Sequence, residues 1–213
     1  MRWPGIHGSR AFVVPAPIVS DPGATVDGMR VIYNTATTIS GYIADEQNSL
    51  AWLFAVESDS QPDQEAFLEP ITAIVSGSTT YEWVLREEDL VAHPEKWPSY
   101  FGDRPQFVFT TRDLPVPEGA DVRFVRGPVA DALPAIREAA GDGDVWVVGG
   151  GDLAGQFLDA GALDEVQVSV APAALTGGAP VLPRTVGPDR LHLRAVERFG
   201  QFAHLTYDVR PPA

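Results

Sequence analysis

The chain has 213 residues, 45% of them hydrophobic, which suits one domain with a sizeable core. Fifteen Lys and Arg stand against 29 Asp and Glu, a formal charge of −14, and no basic stripe interrupts this acidity, which argues against a nucleic-acid partner. There is no cysteine, so disulfides, thiolate catalysis and Cys-ligated metals are excluded, and the four histidines (His7, His93, His192, His204) show no ligand spacing.

Residues 1–28 hold an apolar patch, Ala11–Val19, broken by Pro15 and Pro17, and read as a poorly ordered extension before a domain over residues 29–210. Met29, directly before the first strand-like run, is a second candidate start. Arg30–Thr37 (RVIYNTAT) is rich in β-branched and aromatic residues and predicts a strand. After a loop over residues 38–48, Ser49 caps a helix on which Leu50, Leu53, Phe54 and Glu57 fall at helical spacing. Thr72–Ser76 is a short apolar run suited to a buried strand, and Gly77-Ser78-Thr79-Thr80 is a polar turn into a helix at Tyr81–Leu85. The polar, proline-containing stretch Arg86–Asp103 reads as a surface connection.

Strands follow at Gln106–Thr110 and Val122–Val125, then a helix over Pro128–Ala140 with Leu133, Ile136 and Ala140 on one face. Val145–Val148 is a fifth strand, running through Gly149-Gly150-Gly151 into a helix over Asp152–Ala160 that Gly161 stops. Glu165–Ala171 alternates as a sixth strand, and His192–Phe199 and Phe202–Val209 flank Gly200-Gln201 as a hairpin. Elements that alternate early and pair late predict an α/β fold with a mixed, mostly parallel sheet of about eight strands, about four helices and a C-terminal antiparallel hairpin. No apolar run reaches the ~18 residues of a membrane span.

Candidate chemistry gathers just past the C-terminal ends of predicted strands, where open α/β sheets bind ligands. In Val145–Leu158 a buried strand enters three glycines and then a helix. Glycines let a phosphate approach the backbone, and the helix start offers unpaired N–H groups with partial positive charge. Gly149, Gly150 and Gly151, with Asp152 and Leu153 after them, are candidate pyrophosphate binders, outside the G-x-G-x-x-G fingerprint. Gly77, Ser78, Thr79 and Thr80 could hold another phosphate oxygen. Thr110, Thr111 and Arg112 bring two hydroxyls and a guanidinium suited to a ribose 2′-phosphate, which favours NADPH over NADH. Taken singly, each segment is equally a structural turn or cap; their shared placement points to a dinucleotide.

These residues resemble the dihydrofolate reductase superfamily, in the branch of the C-terminal reductase domain of bacterial riboflavin biosynthesis proteins, over residues 29–209. The likeness is strongest in Val145–Leu182, with V-V-G-G-G, then Q-F-L-D-A-G-A-L-D-E-V, then A-P-A-A-L-T-G-G-A-P-V-L. Gly77–Glu82 is similar to the family's G-R-x-T-x-E, with Ser78 where an Arg is frequent. Ala36–Ala44 resembles its nicotinamide-side loop, with Ser40 in place of an Asp. The resemblance implies a three-layer α/β/α fold, NADPH as cofactor and a cis peptide at Gly149–Gly150. It further implies hydride transfer to a pterin- or pyrimidine-like heterocycle or a related C=N or C=O group, a phosphoribosylaminouracil in the riboflavin branch.

The resemblance also sets Gly41 beside the cofactor and Thr38, Ser49, Trp52 and Leu53 at the reaction space. Trp52 would pack against a planar ring, and Glu57 is a candidate proton donor; Tyr42, Asp45 and Glu46 are weaker candidates. Folate reductases carry an acid at the Ser49 position, and other members an Asp where Ala51 stands. A protonated pterin needs such an acid as its anchor. The family's Pro-x-Leu-x-x-Arg pattern, whose basic residue a phosphoribosyl group calls for, does not follow Gly77. A homodimer in the cytoplasm is expected, with a small-molecule substrate and no metal, nucleic-acid or membrane partner. The alternative is a non-catalytic nucleotide-binding module on the same fold, suggested by the acids missing at Ser40, Ser49 and Ala51. A hydrolase would need G-x-S-x-G, H-E-x-x-H or a P-loop, none of which occurs.

Overall fold

Side-chain alternation builds the sheet. In the computed structural model, which describes residues 28–57, 60 and 63–211, Val31 and Tyr33 of β1 (Val31–Thr38) join one apolar cluster and Ile32 joins another. The same two-residue division runs through β3 (Ile71–Gly77), β4 (Gln106–Phe109) and β6 (Asp144–Gly149), so both faces of the sheet are apolar and both are covered. On one face Ile136 and Ala140 of α5 (Val129–Ala140) and Leu153 and Phe157 of α6 (Gly151–Asp159) pack with Tyr33, Val75, Val145 and Val147. On the other, Tyr81 and Val84 of α3 (Ser78–Glu87) and Trp97 and Phe101 of α4 (Trp97–Phe101) pack with Ile32, Ile74, Val108 and Trp146.

The remaining strands of this sheet are β5 (Val122–Val125), β7 (Glu165–Ala171), β9 (Leu191–Phe199) and β10 (Phe202–Val209). The eight strands run in the order β5-β4-β3-β6-β1-β7-β10-β9. Every pair from β5 to β7 is parallel, and β10 is antiparallel to both β7 and β9. The C-terminal ends of the parallel strands therefore share one edge. At the other edge of these strands, Arg30 bridges Asp144 at 2.6 Å and Glu165 at 3.2 Å, and Arg194 joins Glu165 to Asp208. β2 (Tyr42–Ala44), just past β1 in the chain, forms a small antiparallel pair with the distant β8 (Ala179–Pro180).

The eight-stranded mixed sheet and its hairpin match the expectation from sequence; the connections differ. The helix expected from Ser49 is a single turn, α1 (Ala51–Phe54), with Leu50 at its N-cap and Glu57 beyond its end. The following Ser58-Asp59-Ser60-Gln61-Pro62 offers no apolar residue to extend the stripe, and Pro62 disfavours helix before it. α2 (Gln64–Leu68), capped by the Asp63 side chain, and the β2–β8 pair were not anticipated. Arg86–Asp103 is more than a surface connection: a 3-10 turn at Pro94–Lys96 leads into α4. There Trp97 and Phe101, four apart on one helix face, are buried with ring centroids 4.5 Å apart. Apart from Gly28, the expected N-terminal extension lies outside the described residues. Among the described residues no helix is long and apolar enough to cross a membrane.

Candidate active site

A groove opens where the parallel strands end. Asn34, Thr35 and Ala36 of β1 lie beside Trp146, Val148 and Gly149 of β6; Leu50 and Leu53 of the α1 turn and Thr79, Thr80, Trp83 and Val84 of α3 form walls; Ile43, Ala44, Asn48 and Ala179 complete it. Its volume, about 140 Å³, is close to the ~150 Å³ of an apolar cavity that accepts benzene, so one ring plane fits. None of these lining residues is Asp, Glu, His, Lys or Arg. Polarity comes from the Asn34 and Asn48 amides and the hydroxyls of Thr35, Thr79 and Thr80.

Local bonds hold this lining in place. Asn48 sits at φ 58°, a left-handed conformation that Asn tolerates. Asp45 Oδ1 fixes the turn by accepting the N–H groups of Gln47 at 2.9 Å and Ser49 at 2.8 Å. Trp146 Nε1 donates to the Asn34 carbonyl at 3.2 Å, and Phe67 of α2 meets the Trp146 ring edge-on at 5.4 Å. Phe54 stacks on Trp83, with centroids 6.2 Å apart.

The three glycines of the expected phosphate cradle divide by role. Gly149 and Gly150, joined by a cis peptide bond, line the groove. A Cβ on Gly150 would meet only Ile43 Cδ1, at 4.0 Å, and would stand in open space; one on Gly149 would touch Thr80 Oγ1 at 3.4 Å. At Gly151 a Cβ would lie 2.2 Å from the Pro180 carbonyl oxygen and 2.4 Å from that of Val181, so backbone rather than ligand fills that side. The same segment is tied down twice more. Tyr33 Oη donates to the Val181 carbonyl at 2.8 Å, its pKa pushed up by burial, and Val181 N–H donates to the Gly41 carbonyl at 2.9 Å. Gly77 approaches the pair, with its Cβ position 3.7 Å from Gly149 O and Gly150 N.

The structure brings only part of the expected site to the groove. Thr79, Thr80, Gly149, Gly150 and Leu53 line it; Ser78 starts α3 without lining it. Leu153 is in the core. Asp152 is exposed, its carboxyl held below the usual range by hydrogen bonds from Gln156 and Arg184. Thr38 is buried, and its hydroxyl bonds to Tyr42 N–H at 3.1 Å and to the Tyr42 carbonyl at 3.2 Å, closing the turn that Gly41 makes at φ 81°. Ser49 Oγ accepts the Ala51 N–H at 3.1 Å. Trp52 lies outside the lining, its buried indole N–H without a partner among the described residues, and Glu57 does not reach the groove either.

Thr110 Oγ1 accepts the Arg112 N–H at 3.0 Å and Thr111 is exposed, while the Arg112 guanidinium pairs with Glu82 of α3. Sequence reasoning reached Ile43 only within the Ala36–Ala44 loop and passed over Asn34, Asn48, Trp83 and Trp146. A single amide inside the apolar β1 run was the one available signal among them.

The fold is shared with dihydrofolate reductase. The enzyme from Enterococcus faecalis, solved with NADP(H) and RAB-propyl, aligns over 85% of this chain and 97% of its own with a TM-score of 0.55 at 16% identity. A protein from Shewanella sp. PV-4, assigned provisionally to riboflavin biosynthesis, aligns over 86% of this chain and all of its own, with a TM-score of 0.67 and 27% identity. The uncharacterized protein YwjB of Bacillus subtilis (strain 168) is 24% identical over 178 residues, covering 84% of this chain and 97% of that protein. Residues 29–205 match the RibD C-terminal domain, and the chain belongs to that family.

Proposed function

We propose that the chain is an NADPH-dependent reductase whose substrate is a small, neutral, planar heterocycle with a reducible C=N or C=O bond. The observation that carries this reading is the Gly149–Gly150 pair. It stands side-chain-free at the start of α6 and opens on an apolar groove floored by β1 and β6. The residues present fit a dinucleotide. The Gly149–Gly150 backbone and the first N–H groups of α6 suit a pyrophosphate, Thr79 and Thr80 flank it, and Arg112 lies two strands from β6 for a ribose phosphate. Bound there, the cofactor supplies hydride.

The chain's own residues then position and enclose. Leu50, Leu53 and Trp83 offer apolar walls to a ring, and the Asn34 and Asn48 amides offer donors and acceptors to its heteroatoms. The lining holds no cation for a phosphoribosyl group and no acid for a protonated pterin, which favours a neutral substrate. With no titratable side chain in the lining, the product proton comes from water. That same lack favours a second reading, a nucleotide-binding module without turnover.

Titration of the full chain with NADPH and with NADH, followed by nicotinamide fluorescence, is the first test. Cofactor oxidation is then followed with a panel of pterins, pyrimidines, cyclic imines and carbonyl compounds. Binding with turnover of any panel member supports the reductase, binding without turnover supports the module, and binding of neither cofactor removes both.

A further inference from the structure

The groove gives a dinucleotide a direction. Its reaction end lies at β1, its glycines end β6, its threonines open α3 after β3, and the next strand outward is β4, which leads into Arg112. From β1 to β4 is three strand spacings, roughly 14 Å, the reach of an extended dinucleotide laid along the edge. Arg112 is not free at that place. Its Nη1 donates to Glu82 Oε1 at 2.9 Å and its Nη2 to Oε2, a two-point ion pair between the chain after β4 and α3. The guanidinium is 55% exposed and the carboxylate 35%, so solvent screens the pair and it exchanges readily. The nearby Arg126, after β5, is itself paired to Asp113.

Resting on the dinucleotide reading of the groove, we propose that Glu82 is a specificity-determining residue that weakens the enzyme's preference for NADPH over NADH. A ribose 2′-hydroxyl donates to a carboxylate, whereas a 2′-phosphate needs a cation and is repelled by a carboxylate. The Glu82–Arg112 pair presents both groups at one place. With NADH, Glu82 accepts the 2′-hydroxyl and Arg112 stays paired. With NADPH, the 2′-phosphate takes over the Arg112 donors and Glu82, displaced, remains as a close like charge. The outcome is a protein that accepts both cofactors, with a modest bias set by one carboxylate.

Dissociation constants for NADPH and NADH, measured by fluorescence titration on the full chain and on Glu82→Gln and Arg112→Gln, test this. Glu82→Gln keeps the side-chain size and removes the charge. It should tighten NADPH by about fivefold, the effect of one unit charge beside a phosphate in water, and leave NADH equal or weaker. Arg112→Gln should weaken NADPH toward the affinity of NADH and leave NADH unchanged. The Glu82→Gln gain should shrink as salt is raised. If both cofactors bind and Glu82→Gln leaves their ratio unmoved, the role of Glu82 is overturned while the dinucleotide reading stands. If the unmutated chain binds neither cofactor, both fall together.

Discussion

Two adjacent glycines should fail in opposite ways when given a methyl group. Gly150 sits at φ −80°, ψ −179°, a conformation open to any residue, and its Cβ would project into the groove with Ile43 Cδ1 at 4.0 Å as its only neighbour. Gly150→Ala should therefore change stability by no more than about 0.5 kcal/mol, the range of substitutions that touch nothing. The same methyl group occupies the surface assigned to pyrophosphate. Forcing it against a bound group costs about 1–3 kcal/mol, or roughly 5- to 150-fold in Kd.

Gly151→Ala reverses this pattern. Its Cβ would lie 2.2 and 2.4 Å from two carbonyl oxygens, which cannot rotate aside as a side chain would. The backbone at Pro180 and Val181 must move, and the cost belongs at the upper end of about 1–3 kcal/mol, a fall in Tm of roughly 5–10 °C for a chain of this size. Thermal denaturation and NADPH titration of both variants separate the two effects. The reasoning fails if Gly150→Ala binds cofactor as the unmutated chain does, or if Gly151→Ala melts at the unmutated temperature.

Two further outcomes follow from the opposite edge and the hairpin. Glu165, 3% exposed, takes Arg30, Arg194 and Gln167, so Glu165→Ala should cost about 3 kcal/mol in urea denaturation, at the low end for a buried pair because each arginine keeps a second carboxylate and is partly solvated; a loss below about 1 kcal/mol would show the network to be dispensable. His204 is buried against Ser169, and burial lowers its pKa below the ordinary value of 6.5. As pH falls through that value the unfolded chain takes the proton and the folded chain does not, so stability should drop on acidification from about pH 7.5 to 5.5. His204→Gln should flatten that slope, and an unchanged slope would assign it to other groups.

The fold was legible because its strands state their own environment. Runs such as Val31–Tyr33 and Val145–Val148 are apolar on both faces, as a doubly covered parallel sheet demands, and Gly200-Gln201 marks the one tight reversal near the C-terminus. The glycine and threonine part of the groove lining was legible for the same local reason: glycines and threonines directly after strands. The rest of the lining was not, because its membership depends on non-local register. Trp146 reaches Asn34 only because β6 lies beside β1, with Trp146 opposite Ile32. Thr38 and Ser49 look reactive in the sequence, but their hydroxyls are spent on backbone groups two to four residues away, which no composition argument reveals. Glu82 and Arg112, thirty positions apart, meet only through the β3–β4 pairing.

The two sides of the groove are built to different standards of permanence. On the glycine side, Gly151 is wedged on the β8 backbone, Val181 is bonded to Tyr33 and to Gly41, and α6 runs straight into the core, so a change there is felt throughout the domain. On the other side stands one helical turn with no buried residue, and the sequence turns polar from Glu57 on. Leu50, Leu53 and Phe54 can thus be exchanged for other shapes at little expense to folding. A lineage keeping the glycine side constant could redraw the α1 turn and reshape the groove in a few substitutions, which makes residues 50–54 the place to vary what the groove accepts.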